Sequence, residues 1–402
     1  MSKISYLNIL SPNFLENPYP YYQRLHRDDL IYHDDKMGAY FVGSYEEVQA
    51  ILTSPIFTTA PLAKRAQPVM QDRVLAQMEG NEHTIKRRKI LHGLSGQYFK
   101  EHHRPLIENV TKKLIQRYKS SGRLNLVGDF GKEYAVLVTL GLLDLPTEKY
   151  SRIAAWHKGI ADFITRFDLS EEETTYSLEC SRHLVDFLTP IVCLRKSSPK
   201  KDLISLLCQI SGDTFIMSES EIVALCLNIL LAATEPADKA LAMLFWHLLS
   251  QPKCYEKIKK DRSLLRPAIE ETLRLTSPVQ LIPREASQDV IIGDVSISKG
   301  SIIYTLIGSA NRDPRVYERP DYFDMYRWIH REDKSRAKRH FAFGSGTHVC
   351  IGAEFSMRQL EITANIILDS LDQLRLPDCF QYREVGLYTR GPISMPLEFR
   401  AS

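Results

Sequence analysis

Cys350 lies in the run Phe343-Gly344-Ser345-Gly346-Thr347-His348-Val349-Cys350-Ile351-Gly352. Gly344 and Gly346 let the backbone take positive φ and pass close to a flat object, and Gly352 does so just beyond the cysteine. Downstream, Phe355, Ile362 and Ile366 form one apolar stripe and Leu360, Ala364, Ile367 and Leu371 an adjoining one. That spacing predicts a broadly buried helix. Cys350 then falls near a helix N-terminus, where the dipole favours the thiolate, the form of cysteine that ligates metals. A cysteine beside apolar residues can equally be inert core filling. Zinc suits the run poorly, because His348 and Cys350 would need two more ligands and the chain has no Cys-x-x-Cys.

Three further groups carry candidate chemistry. Glu235 and Pro236 sit inside a long apolar stretch that Ser218-x-x-Glu221 opens as a capped helix running to about Leu249. A proline there removes an N–H and clashes with the carbonyl of Ala232, at a cost of about 3 kcal/mol, so a kink or widened turn is expected. His83 and Arg87 are four apart and share a helix face, which alone reads as a solvated basic helix. Glu271 and Arg274 stand at i and i+3, close enough to pair.

The elements that must position these groups are mixed. Tyr40-Phe41-Val42 reads as a short strand, Ser44-x-x-Glu47 opens a helix through Leu52, and residues 57–78, with Pro61 and Pro68, read as irregular. Residues 112–187 are mostly helical by periodicity, with Pro146-Thr147 starting one helix and Ala161 to Ile164 inside another. The basic run from Arg195 to Lys201 reads as a solvated loop, and 290–297 as paired strands around Gly293-Asp294.

The 402 residues carry no evident linker and are expected to form a single domain, 1–402. With 44% hydrophobic and 25% charged residues the composition supplies a large core. A net charge of +3 is too small to suggest nucleic acid. Seven scattered cysteines suit a reducing compartment. Residues 1–25 lack a signal-peptide core, and the longest apolar run, 222–233, contains Asn228 and is too short for a bilayer. The expectation is a soluble, cytoplasmic protein with no membrane partner.

Residue by residue, Phe343, Gly344, Gly346, His348, Cys350 and Gly352 resemble the heme-thiolate loop of the cytochrome P450 family. Further matches are Glu271-x-x-Arg274 with its partner Arg327, and Ala310-Asn311-Arg312-Asp313-Pro314. The resemblance implies a mainly α fold with a smaller β-rich region, the cytochrome P450 fold. It implies heme b (iron protoporphyrin IX) held by the Cys350 thiolate, whose electron density favours O–O cleavage. It implies that His83, Arg87, Arg284 and His348 bind the heme propionates, anions that need cationic partners. Residues 57–78 would then lie over the heme, and the long helix would cross its far face.

The family pattern on that helix is Ala-Gly-x-Glu/Asp-Thr, whereas this chain has Ala232-Ala233-Thr234-Glu235-Pro236. The proton-delivering threonine is replaced by Pro236, so Glu235 with ordered water, or a polar group of the substrate, must take its role. The family's peroxide-using branch also has proline here, but an arginine precedes it where this chain has Glu235. O2 and electrons from a ferredoxin or flavodoxin are the implied co-reactants, with Lys334, Arg336, Lys338 and Arg339 as a docking cluster for an acidic carrier.

Several stretches, among them 230–239 and 386–392, further resemble a bacterial branch of the family that oxidises the cyclodipeptide cyclo(L-leucyl-L-leucyl) to an aromatic di-N-oxide. The implied pocket wall is Phe163, Ile164, Leu230, Ala233, Val279, Leu281, Ile282 and Leu387, apolar enough for isobutyl groups. The alternatives are a P450 acting on another apolar substrate, a peroxide-driven peroxygenase, and a heme-binding protein without catalysis.

Overall fold

The computed structural model describes residues 8–28, 31–209, 217–329 and 339–401. Its axis is a central helix, Glu219–Leu249, 31 residues long. Ser218 Oγ accepts from the Glu221 N–H at 3.1 Å and Glu221 returns the contact to the Ser218 N–H at 3.1 Å, closing the capping box that the sequence signals. Helices Lys132–Leu142, Glu171–Ser197, Leu265–Leu275 and Ala353–Ser370 surround it. Tyr134, Leu184, Leu241, Phe245, Leu360 and Ile367 belong to the shared core. Among the described residues this is the one helix with the length and hydropathy of a membrane span, and protein packs around most of it.

A five-stranded sheet stands beside the helices, in the order Ile31–Asp34, Ala39–Val42, Ile302–Leu306, Leu281–Ala286, Phe57–Thr58. Only Ala39–Val42 and Ile302–Leu306 run parallel, with Phe41 opposite Tyr304. Arg284 pairs with Ile303 in the neighbouring antiparallel ladder, which places it one strand in from the edge. The strands Val290–Ile292 and Val295–Ile297 pair antiparallel around Gly293, whose φ of +54° the tight turn requires.

Four expectations about elements are corrected. Residues 57–78 contain the helix Ala60–Met70 and a short 3-10 turn, Leu75–Gln77. Pro61 falls in the first turn, where its missing N–H has no intrahelical acceptor, and the burial of Val69 and Met70 holds the turn containing Pro68. Pro146 precedes a 3-10 turn that continues into one helix, Tyr150–Thr165, and Ala161 to Ile164 lie in that same helix. Arg195 is not solvated: it is buried at the end of helix Glu171–Ser197 and pairs with Asp202 at 2.5 Å and Asp144 at 2.8 Å. Gly352, expected at positive φ like Gly344 and Gly346, instead has φ −88° as the N-cap of helix Ala353–Ser370, which begins three residues after Cys350.

Candidate active site

Two polar networks fix the loop that carries Cys350. Glu271 and Arg274, both fully buried, form a bidentate pair at 2.8 Å. Arg327 Nε at 3.3 Å, Trp328 Nε1 at 2.8 Å and the Asp324 N–H at 3.0 Å also donate to Glu271. The remaining Arg274 donors reach the carbonyls of Asn311, Pro320 and Tyr322. Asn311 then extends the network to the loop: its Nδ2 donates to Ser277 Oγ at 2.8 Å and its Oδ1 accepts the Phe341 N–H at 2.7 Å. Charge satisfied inside the core is thereby converted into a fixed starting point for the glycine-rich run.

The second anchor is helix Tyr45–Thr53. Ser44 caps it, Asp313 Oδ2 accepts the Tyr45 N–H at 2.9 Å, and its last turn abuts Gly346. A Cβ on Gly346 would stand 2.4 Å from the Leu52 carbonyl oxygen, and its φ is +72°, so space and conformation both demand glycine. Within the loop, Gly344 donates to the Phe341 carbonyl at 2.8 Å and Cys350 donates its N–H to the Phe343 carbonyl at 2.8 Å. The half-buried Phe343 packs against the main core.

The Cys350 thiol has open surface, although protein surrounds it. Burial pushes its pKa up, against the opposing pull of the Gly352 N–H and Arg87, so the unligated group is held as a thiol. A metal ion at the sulfur would deprotonate it outright.

A basic cluster stands around this thiol. His83 is 1% exposed, lies on helix Gly80–Leu94, and has no protein partner at either ring nitrogen. Its ring lies 4.7 Å from that of His348, which contacts Glu79 at 3.2 Å. Arg87 donates to the Val349 carbonyl at 2.6 Å, and Arg284, 4% exposed, donates to the Pro283 carbonyl at 2.9 Å. Burial lowers the pKa of His83 and His348 first, and neighbouring cations lower it further. Burial also lowers those of Arg87 and Arg284. Helix Gly80–Leu94 is itself tied to the central helix by the buried Lys86, which reaches Glu221 at 3.0 Å and Glu82 at 2.6 Å.

Buried donors in excess of acceptors are unfavourable unless an anion completes them. The four cations therefore fit a group bearing two carboxylates. Among the described residues no three His, Cys, Asp or Glu side chains form a metal set, so a metal at Cys350 would take its other ligands from a prosthetic group. Heme satisfies both requirements. His83, Arg87, Arg284 and His348 would hold its propionates and Cys350 its iron.

Across the cleft, the central helix shows an open strip. Ala232 is exposed and Ala233, Pro236 and Ala237 are half-buried. The helix is unbroken through Pro236. Thr234 faces the other way, its hydroxyl donating to the Leu230 carbonyl at 2.7 Å beside Thr139. Glu235 occupies the same turn, and its side chain lies outside the described part of the structure.

The expected pocket wall divides. Phe163 and Ile164, at the end of helix Tyr150–Thr165, are half-buried, as are Val279 and Ile282. Ile282 Cδ1 would lie 3.6 Å from a Cβ on Gly344, beside the loop itself. Leu230 at 2% exposure packs in the main core, which corrects its place in that wall. Leu281 at 0% and Leu387 at 9% pack with Phe41 and Leu306 in a separate core, and strand alternation turns Leu281 away from Ile282. Val279 bridges to Thr389, so the 386–392 segment flanks the cleft through its backbone. Lys334, Arg336 and Lys338 lie outside the described residues, and Arg339 is exposed.

Sequence reasoning missed Arg65. On helix Ala60–Met70 its guanidinium donates to the carbonyls of Ile164 at 2.6 Å, Phe163 at 3.1 Å and Arg166, and it stacks over Phe167 at 4.5 Å. Its neighbour Lys64 reaches the sheet at Glu285, 3.3 Å away. No local pattern signals this, since the partners are carbonyls about a hundred residues away.

A model of the cytochrome P450 family matches residues 133–376. Pulcherriminic acid synthase of Bacillus subtilis (strain 168) is 45% identical over 403 residues, covering 98% of each chain. The biotin biosynthesis cytochrome P450 of the same strain is 27% identical over 397 residues, covering 97% of this chain and 98% of that one. The crystal structure of P450BioI, in complex with an acyl carrier protein ligated to hexadec-9Z-enoic acid, superposes with a TM-score of 0.85. It is 26% identical and covers 96% of this chain and 100% of that one.

Proposed function

The chain belongs to the cytochrome P450 family and is a heme-dependent monooxygenase, and from that premise we propose that it oxidises a cyclodipeptide, cyclo(L-leucyl-L-leucyl), to pulcherriminic acid. The observation that carries this reading is the likeness, over nearly the whole chain, to pulcherriminic acid synthase. It is supported by the apolar side chains of Phe163, Ile164, Val279 and Ile282, which suit isobutyl groups. The reaction would consume O2 and electrons from a ferredoxin or flavodoxin in the cytoplasm, over successive rounds that hydroxylate the ring nitrogens and aromatise the ring.

Bound heme supplies the O2 activation that no protein side chain provides. The polypeptide holds and tunes it. Cys350 would hold the heme iron, its thiolate charge balanced by Arg87 and the Gly352 N–H. His83, Arg87, Arg284 and His348 would neutralise the propionates, and each histidine would regain its proton as the carboxylates approach. Phe163, Ile164, Val279 and Ile282 would exclude water and orient the substrate. Because Thr234 is committed to the Leu230 carbonyl, the proton route falls to Glu235 with ordered water, or to the substrate's own N–H.

The test is a spectral titration of the purified ferric protein with cyclo(L-leucyl-L-leucyl), followed by turnover with ferredoxin, its reductase and NAD(P)H. A saturable Soret shift and formation of an iron-binding pyrazine product support the reading. Turnover with peroxide and none with ferredoxin would replace it with the peroxygenase reading that Pro236 suggests.

A further inference from the structure

Proline has no amide hydrogen, so residue 236 gives nothing to the carbonyl of Ala232, one turn back. Helix Glu219–Leu249 nonetheless continues through this point. The carbonyl that lost its donor belongs to an open turn in the middle of the helix: Ala232 is exposed, while Leu227, Leu230, Thr234 and Leu241 around it are buried. The nearest hydroxyl does not compensate. Thr234 Oγ1 is committed to the Leu230 carbonyl and faces Thr139 on helix Lys132–Leu142. The aliphatic stem of Lys239, on the next turn, packs under Gly391, where a Cβ would come within 2.4 Å of it. An acceptor on an open stretch of helix that lacks the N–H of residue 236 is available to a donor brought by a ligand.

We propose that the Ala232 carbonyl accepts an amide N–H of the substrate and that Pro236 is a positioning residue which keeps this acceptor free. The inference rests on the cyclodipeptide reading and names its recognition element. A diketopiperazine carries two cis-amide N–H groups on opposite sides of a flat ring. With one N–H held by Ala232, the other nitrogen is directed elsewhere in the cleft. The ring's two-fold symmetry gives the same contact after a half turn, and an N-hydroxylated nitrogen still offers an O–H donor. An ordinary residue at 236 would close the helix bond and silence the acceptor.

The experiment uses the heme-loaded enzyme and three ligands: cyclo(L-leucyl-L-leucyl), its N,N′-dimethyl derivative, and 4-phenylimidazole, which binds heme iron directly. Pro236→Ala restores an N–H and should weaken cyclo(L-leucyl-L-leucyl) about five- to tenfold, the worth of one hydrogen bond. The dimethyl derivative should bind both proteins alike, as should 4-phenylimidazole. Pro236→Val restores the N–H with more side-chain bulk and must give the same pattern; it carries the test if the alanine variant does not load heme. Equal weakening of the parent and dimethyl ligands, or of neither, overturns the inference while leaving the substrate reading intact. Binding of 4-phenylimidazole with no response to cyclo(L-leucyl-L-leucyl) in the unmodified enzyme removes the substrate reading, and this inference with it.

Discussion

Replacing Arg65 by Met should loosen the mouth of the cleft without unfolding the protein. The guanidinium closes the carboxyl end of helix Tyr150–Thr165 by donating to Phe163, Ile164 and Arg166, and lies over the Phe167 ring. A charged donor to a carbonyl contributes about 1.5–3 kcal/mol when water is excluded, and a partly exposed cation–ring contact about 0.5–1 kcal/mol. Arg65 is half-buried, and water can reach the carbonyls once it is gone, so the sum is discounted to about 2–3 kcal/mol for the contact as a unit. That corresponds to roughly a 30- to 150-fold rise in the open population. Stopped-flow binding of 4-phenylimidazole reads it directly: association and dissociation should both accelerate by at least about tenfold, with little change in Kd. The melting temperature should hardly move, since the contact lies outside the main core and governs a local opening. Rates within twofold of the parent, with a normal reduced carbon-monoxide spectrum, would show that the two segments do not separate on binding and would refute the reasoning.

Three other outcomes follow from the geometry. Arg274→Met leaves the buried Glu271 carboxylate short of its main partner and strips a donor from the Asn311 carbonyl. It should cost about 3–5 kcal/mol in urea unfolding, with loss of heme. Gly346→Ala drives a methyl into the Leu52 carbonyl at positive φ, so it should cost about 2 kcal/mol or more and diminish the thiolate signature of the reduced carbon-monoxide spectrum. His247, buried against Phe323 and hydrogen-bonded to Thr276, has its pKa pushed down to about 3 by burial. The unfolded chain therefore takes up the proton first, and the stability contributed by the neutral ring is present above the unfolded value of about 6.5 and lost as pH falls toward about 3. Between pH ~7 and pH ~5 the heme-free protein should lose about 2 kcal/mol from this group, a loss that His247→Gln abolishes.

Signals carried by neighbouring residues were legible in the chain. Ser44 and Ser218 cap where their spacing indicates, Gly293 turns the hairpin, and Glu271 and Arg274 pair as their i, i+3 spacing allows. What eluded the sequence depends on distant partners. Two prolines make residues 57–78 look irregular, yet buried Val69 and Met70 hold half of that stretch as a helix. A run of basic residues concealed that Arg195 finds two aspartates in the core. Apolar side chains near the cleft look alike in one dimension, and only strand alternation separates Ile282 from Leu281. The donors gathered around Cys350 come from three segments of chain, and the unpartnered ring of His83 beside two arginines and His348 exists only after folding.

The parallel pairing of Ala39–Val42 with Ile302–Leu306 sets a timetable for synthesis. Phe41 leaves the ribosome 263 residues before its partner Tyr304, read from their positions in register. At about 5–20 residues per second the interval is roughly 15–50 s. Throughout it, the hairpin of Ile31–Asp34 and Ala39–Val42 has one strand edge with nothing to pair to. Unpaired edges recruit other chains. Arg284 arrives on Leu281–Ala286 just before Tyr304, so one of the four cations that frame Cys350 is set in place only when that edge is covered. Assembly of the cofactor seat is in this sense a late event of translation, and a nascent chain stalled before residue 302 would carry the glycine-rich loop's anchors only in part.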